Sequence, residues 1–161
     1  MTAAAPKIIG AESKNGYEYG LEAMREAVET GLYTHARVFL NHAQGTRSVL
    51  DLAGMIESAR FVTNKIRGDV RLLPDEHGQK VWNIAQSMPQ CGGFSHVADG
   101  KIETVNGRRV VTKITKIYSV DVVSNPATTQ GIFEGQTQLS ESVPRPGPKE
   151  RQIDFVPRCM A

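Results

Sequence analysis

Between Tyr19 and Leu32 the apolar residues Leu21, Met24, Val28 and Leu32 recur at three- and four-residue steps, while Glu22, Arg25, Glu26 and Glu29 fill the other side. That period predicts an amphipathic helix, ending near Gly31, a residue suited to the backbone of a helix end. In "ARVFLNHAQGTRS" the period changes to two: Val38 and Leu40 alternate with Arg37, Phe39 and Asn41, a short strand that runs into a polar, Gly-containing loop. "LDLAGMIESARFV" fits either period, and its β-branched Ile56 and Val62, with Gly54, favour a strand. "KIRGDVRLL" follows as its neighbour after a turn at Asn64. Val81, Ile84, Ala85 and Met88 line one face of a second helix in the proline-bracketed "PDEHGQKVWNIAQSMP". Then "GFSHVA" and "RRVVTKITKIYSVDVV" read as strands, joined through a tight turn at Asn106-Gly107.

Helix, strands, helix, strands is not the regular alternation of a parallel sheet. The expected class is α+β, a mostly antiparallel sheet or barrel flanked by helices. There is no internal repeat. Residues 1–135 form the expected folded domain, and 136–161, with prolines at 144, 146, 148 and 157, read as a flexible tail. At 161 residues the chain is long enough for one continuous core.

Composition narrows the function mainly by exclusion. A net charge of +2, with basic residues interspersed among acids as in "MREAVE" and "PKERQID", makes no positive stripe that could track nucleic acid. No apolar run approaches the ~20 residues of a membrane span and no secretory leader is evident, so the expectation is a cytoplasmic protein without membrane or nucleic-acid partners. Cys91 and Cys159 lack the spacing of a disulfide framework and read as free thiols.

The chemistry to be explained is in "PQCGGFSHVADG", where Ser95 and His96 stand side by side. If "GFSHVA" is a strand, the two side chains point to opposite faces and cannot act as nucleophile and base. A serine hydroxyl needs an imidazole within hydrogen-bond reach, and that imidazole is usually oriented by a third group. Of the other histidines, His35 precedes a strand and His77 opens the second helix, whereas His42 sits where a strand meets a loop, a common place for reactive groups. Asp121, among valines in "IYSVDVV", is the acid of choice, because burying a carboxylate unpaired is costly. Taken singly, each has an ordinary explanation: a small residue at a pleat, a loop histidine bonded to backbone, an ion-paired carboxylate. Cys91 with His96 and His42 imitates a zinc site only loosely, since a Cys-x4-His spacing matches no familiar ligand pair. No metal or cofactor is expected.

"ARVFLNHAQGTRS", "MPQCGGFSHVADG" and "VTKITKIYSVDVVSNPATTQGIFEG" together resemble the prohead maturation proteases of tailed bacteriophages, a family related in fold to the herpesvirus assembly proteases, and the likeness extends over most of residues 17 to 135. The resemblance implies an assemblin-like fold and a serine endopeptidase that cuts capsid and scaffold proteins inside the immature shell, in the host cytoplasm, with room for a homo-oligomer. It places the nucleophile at Ser95, the base at His42 and the third member at Asp121, where the herpesvirus relatives carry a second histidine. In such a mechanism His42 takes the Ser95 proton and returns it to the leaving amine. The oxyanion needs donors, each worth about 3 kcal/mol of transition-state stabilisation; backbone groups near Gly92 and Gly93, or an arginine of the Arg108-Arg109 turn, are the candidates. Some phage relatives cut after glutamate in a Leu/Ile-x-Glu context, which "IFEG" and "LSES" match, so self-processing after Glu134 or Glu141 is implied as well. The alternative is a non-catalytic assembly or scaffold protein that keeps the fold and binds capsid subunits.

Overall fold

The structure is a computed structural model, described for residues 7–129 and 131–133. The expected tail at 136–161, Glu134, Glu141 and Cys159 lie outside the described residues. The described residues build seven strands, β1 (Lys7–Gly10), β2 (Tyr17–Tyr19), β3 (Arg37–Leu40), β4 (Leu52–Val62), β5 (Lys65–Leu72), β6 (Gly93–Val105) and β7 (Arg108–Val123), and two α-helices, α1 (Leu21–Glu29) and α2 (Glu76–Ser87).

The strands form one sheet in the order β1-β5-β4-β3-β7-β2, with β6 along the other side of β7. β1 comes to lie beside β6, so that the sheet nearly closes into a barrel. Four of the six pairings are antiparallel. The expectation of a mostly antiparallel sheet needs correcting at β7, which pairs in parallel with β2 through Arg109–Val111 and with β3 through Val120–Val122. Parallel neighbours cannot be joined by a hairpin. Here α1 is the crossover: it lies against β7 and carries the chain from β2 to β3 along the same edge.

The hairpins follow from local backbone chemistry. Asn106 and Gly107 both have positive φ, 51° and 77°, the geometry of a two-residue turn whose twist matches that of its strands. Val105 is thereby set opposite Arg108. The β4–β5 turn repeats the pattern at Thr63 and Asn64, with φ of 49° and 60°.

Both helices form where the periodicity places them, with their buried faces shifted. In α1 the buried residues are Ala23, Met24 and Ala27, while Leu21 is 40% exposed. Small alanines let the helix backbone approach the sheet closely, so the packed stripe lies beside the stripe of largest residues. In α2 the Asp75 carboxylate accepts from the Gly78 N–H, satisfying one of the free donors at the helix start. Val81 is buried, and Met88, expected on the packed face, is the exposed residue that ends the helix.

Core and site occupy opposite faces of the sheet around β7. Val38, Phe94, Val120 and Val122 belong to the continuous apolar core. Phe39, Ser95 and Asp121, the alternate residues on the same three strands, are buried outside that cluster.

Candidate functional site

Two pairings with β7 assemble the site. Ser95 on β6 and Phe39 on β3 are both registered with Asp121, which lies between them. Cross-strand partners share a face, with Cβ atoms roughly 4.5–5.5 Å apart. The β6–β7 ladder is irregular farther out, at Val97/Ala98 and twice more beyond, and regular from Gly93 to Val97. The hydroxyl and the carboxylate therefore stand on an undistorted stretch of sheet.

His42 reaches the same point from beyond the end of β3. The Asn41 N–H donates to the Val122 carbonyl at 2.9 Å, continuing the pairing by one step. Asn41 then adopts φ of 61°, a left-handed conformation that asparagine tolerates better than most residues, and the chain leaves the sheet. His42 Nδ1 lies 2.8 Å from Asp121 Oδ2. A carboxylate can only accept, so this bond assigns the proton to Nδ1 and leaves a lone pair on Nε2 of the neutral ring. The His42 side chain is 48% exposed and Asp121 is fully buried.

A residue that sequence reasoning missed joins them. Arg47 Nη2 lies 2.5 Å from the same Oδ2. It also donates to the Asn41 carbonyl at 2.7 Å, and its guanidinium lies over the Phe39 ring, 4.4 Å from the centroid. The other carboxylate oxygen, Oδ1, is buried without a hydrogen-bond partner among the described residues. The only signal in the sequence was a buried acid in need of a counter-charge, which did not say which arginine would supply it.

His96 points to the other side of β6, where its strand partner is Val120. Its Nε2 is 2.8 Å from the Tyr19 hydroxyl and its Nδ1 is 2.7 Å from that of Tyr33. A neutral imidazole has one donor and one acceptor nitrogen, so one tyrosine donates to the ring and the other accepts from it. Burial pushes the His96 pKa down to about 4. Desolvation likewise raises the Tyr33 hydroxyl well above its usual value, and raises Tyr19, with the neighbouring Tyr17 adding to the effect. Ser95 and His96 are thus neighbours in sequence with unrelated environments.

The arginine expectation for the oxyanion changes. Arg108 pairs with Glu18 at 2.7 Å and Arg109 lies over the Tyr17 ring. Both stand at the far end of β7, twelve or thirteen residues from Asp121, a strand length of up to about 40 Å at about 3.3 Å per residue. Neither can reach the site. Gly93 also answers a packing requirement, separate from its backbone N–H: a Cβ there would come within 2.5 Å of Thr129 Oγ1 and 2.7 Å of Pro126 Cγ, so glycine lets the 124–129 segment lie against β6. Cys91 is exposed, and no three His, Cys, Asp or Glu side chains among the described residues converge on a common point in metal-binding fashion.

No protein-family model and no curated protein matches the chain. Among solved structures, the bacteriophage T4 capsid assembly protease, gp21, superposes with a TM-score of 0.59 at 20% identity, over 74% of this chain and 80% of that one. The chain shares its fold with that protease. Within this fold, the blocks that carried the sequence likeness meet around β7: His42 follows β3, Ser95 is on β6 and Asp121 is on β7. No helix of the described residues is long and apolar enough to cross a membrane.

Proposed function

We propose that the chain is a serine endopeptidase that processes capsid or scaffold proteins in the immature phage head, with Ser95 as nucleophile, His42 as general base and Asp121 as the group that orients it. The observation carrying this reading is the 2.8 Å bond from His42 Nδ1 to a fully buried carboxylate registered with Ser95. The phage-protease fold supports the choice of substrate class.

Each group then has a defined task. The Nε2 lone pair of His42 takes the Ser95 proton as Oγ attacks the scissile carbonyl. The new imidazolium is stabilised through Nδ1 by Asp121, which stays a carboxylate throughout. His42 next delivers that proton to the departing amine, and a water repeats the sequence to release the acyl group from Ser95. Burial of Asp121 strengthens its interaction with the ring, because little solvent screens it.

The test is serine-specific. Fluorophosphonate labelling followed by peptide mapping is expected to modify Ser95, and Ser95→Ala is expected to abolish cleavage of a co-assembled capsid or scaffold substrate while leaving the circular dichroism spectrum unchanged. Cleavage that survives Ser95→Ala at the wild-type rate would remove the nucleophile from this reading. A wild-type chain that associates with capsid subunits and never cleaves them would be the assembly protein of the alternative reading.

A further inference from the structure

Arg47 touches three things at once: the Oδ2 of Asp121, the carbonyl of Asn41 and the face of Phe39. The loop from residue 41 to residue 48 begins at the left-handed Asn41, carries His42, and is tied back at Arg47 to its own starting point. Its two functional side chains converge on one carboxylate oxygen from opposite ends of the loop.

The charges give this arrangement a purpose. Asp121 is fully buried, and its Oδ1 has no hydrogen-bond partner among the described residues. An ion removed from water without compensation costs several kcal/mol. The imidazole that is to accept a proton must be neutral beforehand, so it offers the carboxylate a hydrogen bond and no counter-charge. Arginine remains charged throughout the working range of any peptidase, and here one nitrogen, Nη2, meets both Oδ2 of Asp121 and the Asn41 carbonyl. Arg47 is 22% exposed and close enough to act as that permanent partner. Once His42 is protonated, Oδ2 faces two cations, which favours passing the proton on to the leaving amine.

Resting on the serine-peptidase reading, we propose that Arg47 is a positioning residue for the reaction: it fixes the Asp121 carboxylate and the 41–48 loop together, so that His42 Nδ1 keeps one productive acceptor. Arg47 acts through these two residues and not on the substrate.

The experiment compares wild type, Ser95→Ala, Arg47→Ala and Arg47→Lys in one cleavage assay, with amide hydrogen exchange measured on each. Arg47→Ala is expected to lower kcat by about 10²-fold, the scale of a misplacement of about 1 Å, with KM within threefold of wild type. Added methylguanidinium is expected to restore at least fivefold of that loss, and methylammonium at the same ionic strength to restore none. Arg47→Lys, which keeps the charge and loses the planar guanidinium over Phe39, should fall between. A kcat within twofold of wild type, or a folded Arg47→Ala whose loss methylguanidinium does not relieve, overturns the proposal. Should wild type be no more active than Ser95→Ala, the peptidase reading fails instead. Amide exchange in residues 41–48 then decides the structural half: faster exchange in Arg47→Ala upholds the tie, and unchanged exchange refutes it.

Discussion

Replacing His96 with glutamine isolates a stability term that the wild-type chain loses in acid. The folded imidazole titrates near 4 because burial disfavours its charged form, against 6.5 for an exposed ring. Between those values the unfolded chain binds a proton that the folded chain refuses, so folding stability falls as pH drops through this window and is intact above it. At pH 4.5 about 99% of unfolded imidazoles are protonated, against about a quarter of folded ones, which corresponds to a loss of about 2 kcal/mol relative to pH 7. Glutamine keeps a donor and an acceptor for Tyr19 and Tyr33 and does not titrate. The assay is urea unfolding of wild type and His96→Gln from pH 7 to 4.5, and the quantity read is how the difference between them changes with pH. Carboxylates such as Asp69, lowered chiefly by its Ser58 hydrogen bond, also lose stability in acid. They do so equally in both chains and cancel. The two proteins should converge by about 2 kcal/mol as pH falls. A difference that stays constant to within about 0.5 kcal/mol would refute the argument, as would an NMR titration of His96 with its midpoint above 6.

The remaining predictions concern single positions. Asp121→Asn should retain the fold and lower kcat by roughly 10³–10⁴-fold, because an amide no longer fixes the His42 tautomer; a kcat within tenfold of wild type would remove Asp121 from the orienting role. Gly78→Ala should destabilise by at least about 2 kcal/mol in thermal or urea unfolding, although alanine is worth about 1 kcal/mol more than glycine in a helix interior, because its Cβ would meet the Leu73 carbonyl oxygen at 2.1 Å. Equal or greater stability in Gly78→Ala would show that the α2 start can shift to accommodate a side chain.

Local chemistry made most of the elements legible. Met24 and Val81 lie on periodic apolar stripes, prolines bracket the second helix, and Asn106-Gly107 can hardly be anything but a turn. β1 and β2 were not legible, because strands of four and three residues contain too few alternations to show a period. Nor was the parallel pairing of β2 and β3 with β7, which depends on contacts about 80 to 90 residues apart in sequence. At the site, strand periodicity was enough to separate Ser95 from His96, since consecutive residues must face opposite ways. It carried no information about Arg47, whose role depends on how a polar loop folds back, or about Tyr19 and Tyr33, which look like ordinary aromatic residues until the sheet brings them to His96.

That same alternation bears on how the chain avoids misfolding. Were β6 to slide one position against β7, an imidazole would face the acid, Phe94 would be turned out of the core, and the buried Tyr33 hydroxyl would lose its His96 partner, at about 1–3 kcal/mol for the stranded hydroxyl alone. The histidine beside Ser95 thus proofreads strand alignment: it lies on the face away from Asp121, yet a chain that satisfies it has already set the serine opposite that carboxylate.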